Sequence, residues 1–196
     1  MEHRGGCGGD SDSGDGAGIL CSIPWHYLEK EVNLKDKKDY EKGLGMIFMP
    51  NKKEKIEECK SICEQEAEKL KINKTSWRTV PVNNEILGPL AKANAPFISQ
   101  WILFIDKKDN NDIERLLFQL RKRIEKKIRE SFKNHVGDCE FYFASLSSKT
   151  VVYKGMVRSE ILSEFYQDLK EESFKVSFSV YHRRFSTNTL PKWPLA

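Results

Sequence analysis

Apolar residues along this chain recur at two periods, and the alternation between them sets out the elements. Residues 17–23 (AGILCSI), 43–49 (GLGMIFM) and 97–105 are short, nearly continuous apolar runs of the kind that form buried strands. Pro24 opens a short helix over residues 25–32, and Pro50 stops the second strand. Helical spacing takes over from 52 to 72, where Ile56, Cys59, Ile62, Cys63, Ala67 and Leu70 share one stripe. It returns from 112 to 132, with Asp112 as the cap and Ile113, Leu116, Leu117, Leu120, Ile124, Ile128 and Phe132 facing inward. Residues 77–82 read as a short extended piece, and residues 85–93 as a short helix interrupted at Gly88-Pro89. Two strands, 140–146 and 150–154, flank the turn Ser147-Ser148-Lys149 and read as a hairpin. A helix from Ser159 to about Leu169 follows, then an alternating run, Phe174 to Tyr181, that reads as a half-buried strand. No internal repeat is visible. The mixture of helices with hairpin-like strands predicts an α+β fold with antiparallel sheet.

Composition narrows the class. The chain has 196 residues, 39% of them hydrophobic and 32% charged, which suits one soluble globular domain or one domain with an insertion. A net charge of +4 is too mild to imply nucleic acid by itself. The helix over 112–132 carries Arg121-Lys122-Arg123 and Lys126-Lys127-Arg129 on its polar face, so a non-catalytic basic module binding nucleic acid is one reading. Glutamates are interspersed among these cations and no aromatic residue interleaves with them, which favours a plain solvated face. No apolar run spans a bilayer, and the N-terminus does not have the pattern of a signal peptide. The expected partners therefore include no nucleic acid and no membrane. Five cysteines, at 7, 21, 59, 63 and 139, form no CxxC pair, and reduced thiols in a cytoplasmic or plastid compartment are expected. Cys59 and Cys63 lie on the buried stripe without a histidine nearby, so core packing is expected of them rather than metal binding.

Two segments carry candidate chemistry. The first is the glycine-rich start, in which Glu2-His3-Arg4-Gly5-Gly6 leads to Ser13-Gly14-Asp15-Gly16-Ala17-Gly18. No Gly-Lys-Ser/Thr follows, which excludes a P-loop. Asp10 and Asp12 fit an EF-hand, but Gly14, Asp15 and Cys21 stand where a ligand, the turn glycine and the closing glutamate belong. The second segment is residues 181–196, YHRRFSTNTLPKWPLA. There a strand delivers Arg183, Arg184 and the polar group Ser186-Thr187-Asn188 to its own end. An arginine fork matches a carboxylate in two parallel bonds. The residues alone leave two readings open, a carboxylate clamp or an ordinary strand end.

Taken together, these pieces resemble the class II glutamine amidotransferase domain of the glutamate synthases. The resemblance rests on Glu2-His3-Arg4-Gly5-Gly6, residues 13–18, Gly45-Met46-Ile47-Phe48-Met49-Pro50, Trp77-Arg78-Thr79-Val80-Pro81-Val82, Val151-Val152-Tyr153-Lys154-Gly155-Met156 and residues 181–196. They occur in the family's order and span nearly the whole chain. The ferredoxin-dependent branch fits better than the pyridine-nucleotide one. The resemblance implies an N-terminal-nucleophile fold, an αββα sandwich of antiparallel sheets. It also implies a cysteine thiolate that attacks the glutamine amide, with ammonia passed on to a flavin domain for conversion of 2-oxoglutarate to glutamate. It assigns Arg184 to the substrate α-carboxylate, Thr187 to a neighbouring glutamine contact and Arg4 to support around the nucleophile; it leaves Arg183 structural or solvent-facing, and the residues alone would allow the two adjacent arginines to exchange roles.

The same resemblance places the nucleophilic cysteine before Glu2 and the oxyanion Asn-Gly pair after Ala196, so Cys7 is not the nucleophile. Residues 1–196 are accordingly expected to be one partial amidotransferase domain that alone releases no ammonia from glutamine. FMN and a 3Fe-4S cluster are implied for the full-length enzyme and no cofactor within these residues. The partners implied are L-glutamine, the remainder of the chain, and ferredoxin or a pyridine-nucleotide-dependent subunit. Another class II amidotransferase is the alternative enzyme.

Overall fold

The computed structural model describes residues 14, 16–32, 40–106, 112–132, 141–183 and 192–196. Their elements in order are β1 (Ala17–Ser22), α1 (Trp25–Glu31), β2 (Tyr40–Met49), α2 (Lys53–Lys69), β3 (Lys74–Thr79), α3 (Pro89–Ala93), β4 (Phe97–Asp106), α4 (Ile113–Ser131), β5 (Tyr142–Ser147), β6 (Thr150–Gly155), α5 (Leu162–Phe165) and β7 (Ser179–His182). Short 3-10 turns lie at Asn84–Ile86, Ser159–Ile161, Gln167–Lys170 and Trp193–Leu195. The fold is α+β with antiparallel pairing, as the hydrophobic pattern predicts. The chain divides into two compact units.

The unit formed by Leu28–Thr79 and Pro96–Val151 holds a four-stranded sheet in the order β3-β4-β2-β5. Its spine is a ten-residue pairing from Tyr40↔Asp106 to Met49↔Phe97. Ile47 and Met49 from β2 and Trp101, Leu103 and Ile105 from β4 share a core with the apolar stripes of α2 and α4. Cys59 and Cys63 are fully buried there, filling space as small hydrophobes. Trp77 of β3 stacks on Trp101 with ring centroids 5.2 Å apart. Asp112 caps α4 by accepting a hydrogen bond from the Arg115 N–H at 3.0 Å.

One charge sits inside the apolar stripe of α2. Glu66 is 3% exposed, and its carboxylate accepts hydrogen bonds from Lys69 one turn on and from Arg123 of α4 at 2.8 Å. Burial opposes its ionisation, but the two cations outweigh burial and hold its carboxyl below the ordinary value. A carboxyl depressed in the folded state stabilises above its unfolded pKa of about 4.3, and that stability is lost as pH falls through the folded value. The urea midpoint is therefore expected to fall between pH 6 and pH 3, and Glu66→Gln should fall less over that interval. Equal slopes for the two proteins would show that this ion pair carries none of the pH dependence.

The other unit comprises Met1–Tyr27, Val80–Ala95 and Val152–Ala196. Its three-stranded sheet runs β6-β1-β7, with β1 central. Its core is a train of aromatic contacts: Tyr27 to Phe174, Phe174 to Tyr153, Tyr153 to Tyr166, Tyr166 to Phe165 and Phe165 to Trp193, with centroids 4.7 to 5.7 Å apart. At its centre Asp168, fully buried, accepts hydrogen bonds from the Tyr27 hydroxyl at 2.8 Å and the Tyr153 hydroxyl at 3.0 Å.

Three expectations are corrected. The strands 142–147 and 150–155 form no hairpin: β5 pairs with β2 and β6 neighbours β1, so the turn between them hands the chain from one sheet to another. The helix expected from 159 to 169 is broken into α5 between two 3-10 turns. Tyr166 is extended there, at φ −90° and ψ 100°, and bridges to Val82 instead of continuing a helix. The half-buried strand expected over 174–181 is only four residues long, at Ser179–His182. Phe178, Val180 and Tyr181 are 49%, 63% and 65% exposed; among the described residues β7 pairs with β1 alone and is an edge of its sheet.

Candidate functional site

The outgoing arm of the candidate site is β7. It pairs antiparallel with β1 in the register Gly18↔His182 and Cys21↔Ser179. Beyond Gly18, on the far side of β1, stands Lys154 of β6. A Cβ at Gly18 would lie 2.6 Å from His182 Cε1 and 2.7 Å from Lys154 Cβ, so only glycine lets these side chains close over β1. Partial burial, and then the Lys154 charge, hold the His182 imidazole below its ordinary pKa.

Arg183 follows His182 and is tied down at once. Its Nε donates to Ser159 Oγ at 2.9 Å, and its guanidinium pairs with Glu160. The Glu160 carboxyl is held low by its own backbone N–H, the Ser159 hydroxyl and Arg183. These contacts occupy Arg183 within its own unit. Arg184, Thr187 and Arg4 lie outside the described residues, as does Cys7.

The returning arm is residues 192–196. Trp193 is 1% exposed and its Nε1–H donates to the Ala91 carbonyl at 3.1 Å. Its ring lies over Gly155, where a Cβ would stand 2.6 Å from Cζ3. Lys154 reaches the next residue: Nζ donates to the Pro194 carbonyl at 2.7 Å, while the Lys154 carbonyl accepts from the Tyr166 hydroxyl at 2.7 Å. Burial raises the Tyr166 pKa, so this phenol stays a donor.

Cys21, Cys59 and Cys63 are all buried. Burial pushes the Cys21 thiol up to about 11, and burial together with neighbouring Glu64 raises that of Cys63 well above its ordinary value. Among the described residues no three His, Cys, Asp or Glu side chains group to hold a metal ion, and no helix is long and apolar enough to cross a membrane. Five of the α4 cations are paired: Arg121 and Lys122 with Glu125 and Lys126 and Lys127 with Glu130 on the helix itself, and Arg123 with Glu66 of α2. That is the solvated face the interspersed glutamates predict.

Comparison with known families decides among these readings. The model of the class-II glutamine amidotransferases matches residues 1–196. The chain belongs to the class-II glutamine amidotransferases. It is 45% identical over 200 residues to the chloroplastic ferredoxin-dependent glutamate synthase of Oryza sativa subsp. japonica. It is 47% identical over 201 residues to the chloroplastic/mitochondrial ferredoxin-dependent glutamate synthase 1 of Arabidopsis thaliana, and 44% over 200 to ferredoxin-dependent glutamate synthase 2 of Synechocystis sp.. Each match covers 100% of this chain but only 12% of the relative's length. The N-terminal-nucleophile class expected from the motifs is therefore the family's own.

The motif reading passed over the groups that surround the described ends of this candidate segment. Lys154 stood inside the quoted Tyr-Lys-Gly-Met motif, but nothing in a strand pattern says that a lysine turns inward. Ser159 and Glu160 carried no signal that they would hold Arg183.

Proposed function

We propose that residues 1–196 are part of the glutaminase domain of a longer glutamate synthase of the ferredoxin-dependent type. In that reading the domain holds L-glutamine while its side-chain amide is hydrolysed, and the ammonia serves the reductive amination of 2-oxoglutarate to L-glutamate. The observation that carries it is identity of 45–47% across the whole chain to the rice and Arabidopsis enzymes. Arg184 would hold the glutamine α-carboxylate in a bidentate pair, Thr187 would make the adjoining polar contact, and Arg4 would support the nucleophile's surroundings. Ferredoxin is the electron donor proposed for the whole protein. FMN and a 3Fe-4S cluster would lie in its other regions, since these residues span only 12% of the length of the relatives. Cytoplasm or plastid stroma is the compartment proposed.

Arg183, engaged by Ser159 and Glu160, leaves Arg184 as the better candidate for the substrate. In the full-length enzyme, Arg184→Ala is expected to raise the KM for glutamine about a hundredfold, the scale of losing a charge-assisted bidentate pair. Arg183→Ala should change it severalfold at most. An unchanged KM in Arg184→Ala would remove Arg184 from the site.

A further inference from the structure

We propose that the groove between α2 and β3 is a docking site for an extended, arginine- or lysine-bearing segment of another protein, which adds to the open edge of β3 as a further strand. Among the described residues β3 pairs with β4 alone, so it ends the sheet β3-β4-β2-β5. Its pairing runs without a bulge from Lys74↔Phe104 to Thr79↔Ser99, and no proline interrupts the strand. A regular edge of this kind is a template for an added strand unless something blunts it. Lysine is a common guard of such edges, but Lys74 is bonded to the Tyr40 hydroxyl.

Between α2 and β3 lies a cavity of about 350 Å³. Glu64, Gln65 and Glu68 line it from α2, Asn73 and Thr75 from the strand side, and buried Ile72 between them. The tight turn from helix to strand holds the two walls together. Lys71 is left-handed there, at φ 63°, and its N–H donates to the Glu68 carbonyl at 2.8 Å while the Ile72 N–H donates to that of Ala67 at 2.9 Å. The cavity's charge selects the occupant. Two of its lining residues are acidic, and no lysine or arginine lines it. The Glu64 carboxylate is seated against β3 by the Trp77 Nε1–H at 2.8 Å, and the Glu68 carboxylate has no partner among the described residues. Nearby lysines are engaged elsewhere, Lys60 with Glu57 and Lys69 with Glu66. Spacing agrees with charge. Glu64 and Glu68 stand one helical turn apart, about 6 Å along the axis, and alternate side chains of an added strand recur about every 7 Å on one face. Two cationic side chains two positions apart can therefore meet the two carboxylates while the peptide backbone pairs with β3.

The test uses the full-length protein and fluorescence anisotropy with three labelled octapeptides. One alternates arginine with threonine, one alternates glutamate with threonine, and the third is the arginine peptide with alternate amides N-methylated. The arginine peptide is expected to bind, and the other two at least about tenfold more weakly, the scale of losing one or two charge-assisted or main-chain hydrogen bonds. Glu64→Gln/Glu68→Gln should weaken the arginine peptide about tenfold as well. Both substitutions lie on the exposed face of α2, and glutamine still accepts from Trp77, so folding is preserved; Glu68→Gln alone should show part of the loss. Absence of binding at millimolar arginine peptide overturns the proposal, as does an affinity unchanged in the double variant or equal for the arginine and glutamate peptides. An N-methylated peptide that binds as tightly as its parent also overturns it, reducing the groove to a site for a simple cation. A concentration-dependent dimer that the double variant abolishes overturns it too, giving the edge to a second copy of this chain.

Discussion

Replacing Asp168 by alanine is expected to lower stability by about 4 kcal/mol. The carboxylate is fully buried and accepts from two phenols, Tyr27 and Tyr153, that are themselves 4% and 0% exposed. Each hydroxyl loses its carboxylate acceptor in the variant, at about 1–3 kcal/mol apiece, and a cavity adds to the cost. Asp168→Asn keeps the volume and one carbonyl acceptor, so it should cost about half as much. Urea denaturation of the two variants checks both values. A loss under about 1 kcal/mol for Asp168→Ala would mean that the aromatic train is held by its packing alone.

Gly18→Ala is expected to cost about 2–3 kcal/mol, because its methyl has no direction in which to go. Neighbours stand at 2.6 Å on one side and 2.7 Å on the other, with the Tyr153 carbonyl at 3.1 Å. The Lys154 Cβ is fixed to its strand and cannot swing aside as a side-chain tip can. β1 is the central strand, so the strain reaches both its partners. A thermal midpoint lowered by roughly 5 °C or more is the readout. Gly45→Ala is the control, since its Cβ would first meet Leu146 Cδ1 at an ordinary 3.4 Å and should be close to neutral. Equal losses at the two sites would show that the cost is one of backbone freedom and not of contact.

What could be read from the sequence divides along a physical line. The stripes of α2 and α4 were legible because helical periodicity and the Asp112 cap are local. The hairpin expected over 140–154 does not form, because turn residues announce a reversal but not the partner each strand will take. Glu66 and Asp168 were invisible as buried charges. Glu66 answers to Arg123 on another helix, and Asp168 to a tyrosine 141 positions away. The alternation over 174–181 promised one buried face, but an edge strand is not obliged to bury either. In the candidate site, the motif containing Lys154 was recognisable. Its inward turn depends on Gly18 and Pro194, neither of which neighbours it in sequence.

The pairing of Gly18 with His182 also sets a schedule for the protein's birth. Of the strands described β1 is made first and β7 last, with the whole of the other sheet synthesised between them. At usual translation speeds β1 waits on the order of ten to thirty seconds for its edge partner. During that interval the nascent chain has to keep Ala17, Cys21 and the open flank of β1 from competing strands.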